Sequence, residues 1–189
     1  MSYHNEYFNY LKKRSFVGGL YRKFYLYPVL VRNLEGKTLD IGCGIGDFIN
    51  FRPQTTGVDI NHHAVKYCNS IGLDAFLMRD NVLPFPDHSF NSIILDNVLE
   101  HIENPVPIIN EISRVLNSDN MLLVGVPGKL GWNSDSDHKI FYDENLLTKL
   151  FIEHGYKALK LFHTPFFKSS FLSNHIKQYC IYCLFTLQK

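Results

Sequence analysis

Three glycines at alternate positions, Gly42, Gly44 and Gly46, follow directly on an apolar run in the segment LDIGCGIGDF, Leu39–Phe48. Glycine lets a backbone turn sharply and approach a ligand closely, and a helix opening after such a turn presents free N–H groups. The spacing G-x-G-x-G departs from the G-x-G-x-x-G of pyrophosphate-binding turns, whose third glycine would fall at Asp47. A carboxylate there opposes a pyrophosphate, and Asp40 adds a second one to the turn. Two anionic groups around a glycine loop suit a ligand with a cationic or amino group better than a phosphate. Asp59 ends the next apolar run, where a carboxylate can accept from both hydroxyls of a ribose. Further along, Glu100 and His101 adjoin in NVLEH, and Asp137 and His138 lie in GWNSDSDHKIFY with the single Trp of the chain. Carboxylates and an imidazole on one loop can bind and deprotonate a hydroxyl, and His138 is the best general-base candidate because imidazole titrates near neutral pH. The competing reading makes Asp137 or His138 a cap for the helix that follows.

Positioning these groups needs a strand before each turn. Thr38–Cys43, Thr56–Ile60 and Asp74–Arg79 read as strands, with a helix over His62–Ile71 stopped by Gly72. Asn91–Leu95 is apolar enough for a central strand buried on both faces. Ile108, Ile109, Ile112, Val115 and Leu116 fall at spacings of three and four and predict a helix over Pro105–Leu116. Met121–Val126 is a further strand. Asp143–His154 is a helix with Asp143 as N-cap and Gly155 just past its end. Lys157–His163 and Tyr179–Leu187 then read as two strands joined by a Ser-rich connection without a helix. This alternation predicts an α/β fold with a mostly parallel sheet, helices on both faces and an antiparallel C-terminal hairpin. The first crossover, between Cys43 and Thr56, is so short that its helix must be short too.

The chain has 189 residues, 46% of them hydrophobic, with 15 Phe and 11 Tyr. That composition excludes intrinsic disorder, and no run of 18 apolar residues offers a membrane span. The N-terminal residues lack the layout of a secretory signal, and Cys43, Cys68, Cys180 and Cys183 are too few and scattered for a disulfide framework, so a cytoplasmic location is expected. Cys180 and Cys183, spaced C-x-x-C, read as plain strand residues. Net charge is +1, unevenly placed: residues 1–34 are basic and aromatic, and the remainder is mildly acidic. Residues 1–34 are therefore expected to form a helical arm or lid, and 35–189 the main domain. A packed lid is the simplest reading of the arm, and its cations among aromatics also suit weak contact with an anionic membrane surface. An acidic body excludes a broad nucleic-acid groove.

The segments LDIGCGIGDF, GVDIN, RDNVLPFPDHSFNSIILDNVLEHI and EISRVLNSDNMLLVGVP resemble class I S-adenosylmethionine-dependent methyltransferases, above all the small methyltransferase-11-type domains. The resemblance runs over roughly residues 36–163, with its motifs in order. It implies a Rossmann-like seven-stranded sheet with the last strand antiparallel, and S-adenosyl-L-methionine as cofactor. By resemblance, Gly42, Gly44 and Gly46 would line the methionine part of the cofactor, with Asp40 near its amino group. Asp59 would hold the ribose, Ile60 would lie against adenine, Asp80 would accept from the adenine amino group, and Asn81 would lie beside the ring. Asn97 would face the methionine carboxylate and the acceptor. The family usually has Asp where this chain has Asn91.

NVLEH also resembles the E-x-x-E-H cluster with which quinone-pathway O-methyltransferases hold Mg²⁺. Asn97 replaces the first carboxylate, so the expectation is no metal, with His101 packed and hydrogen-bonded. His138, Asp137 and His101 are the catalytic candidates. The function expected is O- or N-methylation of a small-molecule acceptor, with no nucleic-acid partner. The alternatives are a nicotinamide-dependent oxidoreductase and a non-enzymatic cofactor-binding protein.

Overall fold

Every side chain of Thr38–Ile41 (β1) is buried, because this strand runs between two others and is covered on both faces. A computed structural model describes residues 15–79 and 81–188. Helical residues Phe16–Tyr21 (α1) pass through a π-type turn at Arg22–Leu26 into Tyr27–Val31 (α2) before β1 begins. Asp47–Phe51 (α3), Thr55–Asp59 (β2), His62–Ser70 (α4) and Ala75–Leu77 (β3) complete the first half. Phe90–Asp96 (β4), Val106–Val115 (α5), Leu116–Pro127 (β5), Lys129–Asn133 (α6) and Glu144–Glu153 (α7) follow. Tyr156–Thr164 (β6), Ser170–His175 (α8) and Cys180–Leu187 (β7) close the chain.

The sheet has seven strands in the order β3-β2-β1-β4-β5-β7-β6. The first five run parallel, and β7 inserts antiparallel between β5 and β6. Strand order reverses between β1 and β4, which opens a crevice beyond their carboxyl ends. Period-2 alternation divides the central strands between two cores. Ile93, Leu95, Leu122, Val124, Cys183 and Phe185 pack with α5 and α7 through Ile108, Ile112, Leu147 and Phe151. Ile94, Leu123, Tyr182 and Leu184 face the other way, onto Leu26, Tyr27 and Leu30 of the N-terminal helices. The described part of the expected arm is thus a layer of the fold. Residues 1–14 lie outside the described residues.

Asp143 caps α7, accepting from Leu146 N at 2.7 Å, and Gly155 takes φ +84° just past it. The first crossover helix is short, as its length requires, at five residues. Two expectations are corrected. The β6–β7 connection contains the helix α8, capped by Ser169, because Leu172 and Ile176 find a face of the main core to pack on. Strand β5 begins at Leu116, and a register shift against β4 separates that start from the Met121–Val126 core.

Candidate active site

The turn after β1 is built by hydrogen bonds that leave its mouth open. Val58 O accepts from both Gly42 N and Cys43 N, and Gly44 N donates to Asp59 Oδ2 at 2.8 Å. Gly42 has φ +77°, and a Cβ there would lie 2.4 Å from Val98 Cγ2, so both the backbone and the space require glycine. Gly46, at φ +80°, is the residue before α3, and its missing Cβ makes room for Leu73. Asp59 is buried and its second oxygen accepts from Asn61 N at 2.8 Å. Asp59 therefore ties the turn after β1 to the turn after β2.

A cleft of about 480 Å³ lies over these turns, lined by Asp40, Gly42, Gly44, Asp96, Asn97, Glu100, His101 and His138. The N-terminal helices form its other wall through Gly18, Tyr21, Arg22 and Tyr27. Arg22 reaches Asp47 at 3.5 Å and joins that wall to the glycine loop. Asp47 sits in the first turn of α3, where a negative charge is favoured, and pairs with the Arg22 guanidinium. Burial holds the Asp40 carboxyl well above the usual carboxylate range, and the carboxylates of Asp96 and Asp59 push the same way. The Tyr182 hydroxyl donates to Asp96 Oδ1 at 2.7 Å, and Asn97 Nδ2 donates to the same oxygen at 2.9 Å.

The far corner of the cleft brings two distant segments together. Glu100 and His101 lie in a 3₁₀ turn, Leu99–His101, that follows β4. His138 comes from the loop after α6, and its ring centroid is 4.6 Å from that of His101. His138 Nδ1 lies 2.7 Å from Trp132 O, and since a carbonyl only accepts, Nδ1 carries the proton. His138 Nε2 is 3.8 Å from Glu100 Oε1. His101 Nδ1 is 3.4 Å from Asp137 Oδ2. Burial, and then His138, lower the His101 pKa. Burial pushes the Glu100 carboxyl up to about 8.

Of the residues expected to hold a cofactor, Asp40, Gly42, Gly44 and Asn97 line this cleft, whereas Gly46, Asp59, Ile60 and Asn81 do not. Asp59 is engaged by two backbone amides, Gly46 serves the packing of α3, and Ile60 is 59% exposed at the end of β2. Asn81, at φ +59°, sits in the β3–β4 loop, which Arg114 fastens through Leu83 O, Phe85 O and Asp87, and Glu111 by accepting from Leu83 N. Asp80 lies outside the described residues. The three catalytic candidates do meet: His138 and His101 at the cleft, Asp137 behind His101. Neither caps α7, which Asp143 does. Tyr21, Arg22 and Tyr27 belong to the arm expected as a lid but were not singled out as cleft residues, although Gly18, Tyr21 and Arg22 stand at the spacing of one helix face.

A family model described as a methyltransferase domain, of the methyltransferase-11 type, matches residues 39–124. This match and the fold support a class I S-adenosylmethionine-dependent methyltransferase. A probable S-adenosylmethionine-dependent methyltransferase of Mycobacterium tuberculosis is 30% identical over 142 residues, covering 67% of this chain and 52% of that one. A human probable tRNA methyltransferase 9B is 28% identical over 113 residues, 57% of this chain and 24% of that one. The chain thus spans about half the length of the first relative and a quarter of the second. A solved S-adenosylmethionine-dependent methyltransferase, a possible histamine N-methyltransferase, from Thermotoga maritima shares the fold with a TM-score of 0.76 at 17% identity, covering 100% of both chains. The cofactor of these methyltransferases, S-adenosyl-L-methionine, carries a sulfonium and an ammonium group, and the acidic side chains Asp40 and Asp96 in the cleft lining fit those charges. Among the described residues no helix is long and apolar enough to cross a membrane.

Proposed function

We propose that this methyltransferase acts on a small-molecule acceptor at oxygen or nitrogen, with His138 taking the acceptor's proton. When bound, the cofactor supplies a methyl group already activated on sulfonium, so the chain's own task is orientation and proton removal. Asp40, Gly42, Gly44 and Asn97 would hold the methionine portion, and Asp59, at the end of β2, would reach the ribose. The observation that carries the reading is His138 itself. Its Nδ1 proton is committed to Trp132 O, so Nε2 is the basic nitrogen at the cleft. Asp137 would orient His101 beside it.

The cleft's polarity supports a small acceptor over a nucleic acid. Its lining carries Asp47, Asp96 and Asp135 against Arg22 and Lys177, a balance that offers a phosphate backbone no basic surface. The test is incubation with a methyl-labelled cofactor and separated metabolite, protein and RNA fractions. Label in the metabolite fraction supports the proposal, and label confined to RNA or protein contradicts it.

A further inference from the structure

Glu100, His101 and His138 each offer one ligand atom, and these three atoms lie within 4.8 Å of one another. Both imidazoles are already oriented from behind. Trp132 O takes the Nδ1 proton of His138, and Asp137 Oδ2 faces Nδ1 of His101. Each histidine then presents an unprotonated Nε2, the arrangement in which a carbonyl or carboxylate fixes the tautomer of a metal-binding histidine. The third group is more telling. Glu100 is 1% exposed, and among the described residues neither carboxyl oxygen has a hydrogen-bond partner. A buried carboxyl is ordinarily paired or bound to a cation. Asp135 and Asp96 add negative charge around it.

We propose that Glu100, His101 and His138 form a binding site for a divalent transition-metal ion, of the zinc or ferrous class. Two nitrogens and one oxygen suit such ions, whereas Mg²⁺ and Ca²⁺ prefer oxygen ligands. The expectation of no metal considered an oxygen-rich site and the local NVLEH segment alone; His138 joins from a loop 37 residues away and changes the donor set. Three protein ligands leave a coordination position open toward the cleft. With the metal bound, His138 Nε2 is a ligand and no longer a base, and the metal takes over that task by making an acceptor hydroxyl at the open position lose its proton more readily. That catalytic part rests on the proposed reaction, and the binding of the metal does not.

The test uses untagged full-length protein, stripped with chelator and titrated with Zn²⁺ and with Co²⁺ as a coloured substitute. One equivalent is expected to bind, with a cobalt spectrum of nitrogen and oxygen ligands and no thiolate charge-transfer band. His138→Ala, His101→Ala and Glu100→Gln should each weaken metal binding by 10-fold or more. S-adenosylhomocysteine binding by calorimetry should persist in the same variants, which separates failure of the metal site from failure of the methyltransferase reading. Absence of stoichiometric binding, a thiolate band that assigns the metal to cysteines, or variants that bind as tightly as the parent would each overturn the proposal. The spectrum of the unmodified protein decides even if a variant does not fold.

Discussion

Gly44 donates its amide to Asp59 Oδ2 at 2.8 Å, so the glycine loop after β1 is held by the carboxylate that ends β2. One side chain thereby joins two strand-to-helix turns, because its other oxygen accepts from Asn61 N. Removing it has two consequences. Asp59→Ala should weaken S-adenosylhomocysteine binding by about 1.5–3 kcal/mol, the value of a charge-assisted hydrogen bond. It should also lower stability by about 1–3 kcal/mol, since two amides lose their acceptor. Calorimetry and urea melts on the one variant measure both, and a stable variant of full affinity would refute the linkage.

Gly42→Ala tests the turn itself. The new Cβ meets Val98 at 2.4 Å and the residue must keep φ +77°, so a cost of about 2 kcal/mol or more is expected, with loss of cofactor binding. Adding Val98→Ala should relieve the crowding and leave the backbone strain. Partial recovery of the melting temperature in the double variant is the expected result, and full recovery would show that conformation costs nothing there.

Asp40 sets a pH dependence. Its folded pKa is raised well above the unfolded one, chiefly by burial, so its contribution to stability is fully present below the ordinary carboxylate pKa. That contribution is lost as pH rises from there through the folded pKa. Stability of the cofactor-free protein should therefore fall across that range, and Asp40→Asn should flatten the fall. Denaturant midpoints from pH 4 upward check this, and an unchanged slope in the variant would show that Asp40 is not the group responsible.

His138→Ala should lower turnover by about 10²–10⁴, the usual contribution of a positioned acid–base group, with little change in cofactor affinity. Stability need not fall by the loss of a helix cap, because Asp143 performs that role. A variant with full turnover would remove His138 from the chemistry.

Much of the fold was legible because the signals were local. The buried strand before Gly42, the cap at Asp143 and the Gly155 stop each follow from a few neighbouring residues. The helix α8 was not, since its six residues are too few for periodicity to show and it forms by packing on the main core. Of the residues expected to hold a cofactor, Asp40, Gly42, Gly44 and Asn97 do come together in the cleft lining. The arm was expected as a lid, but which of its residues form the wall, Tyr21, Arg22 and Tyr27, was not legible, because only the folded sheet brings the N-terminal helices across to the glycine loop. Pairing of His138 with Glu100 is likewise a long-range product of the β4 and β5 ends lying side by side.

The most direct measurement is titration calorimetry of the purified chain with S-adenosylmethionine, S-adenosylhomocysteine and NAD under one set of conditions. The acidic cleft and its Asp47-bearing turn predict saturable one-to-one binding of the first two and no heat from NAD. Binding of NAD, or a folded protein that takes up neither methionine-derived ligand, would contradict the account.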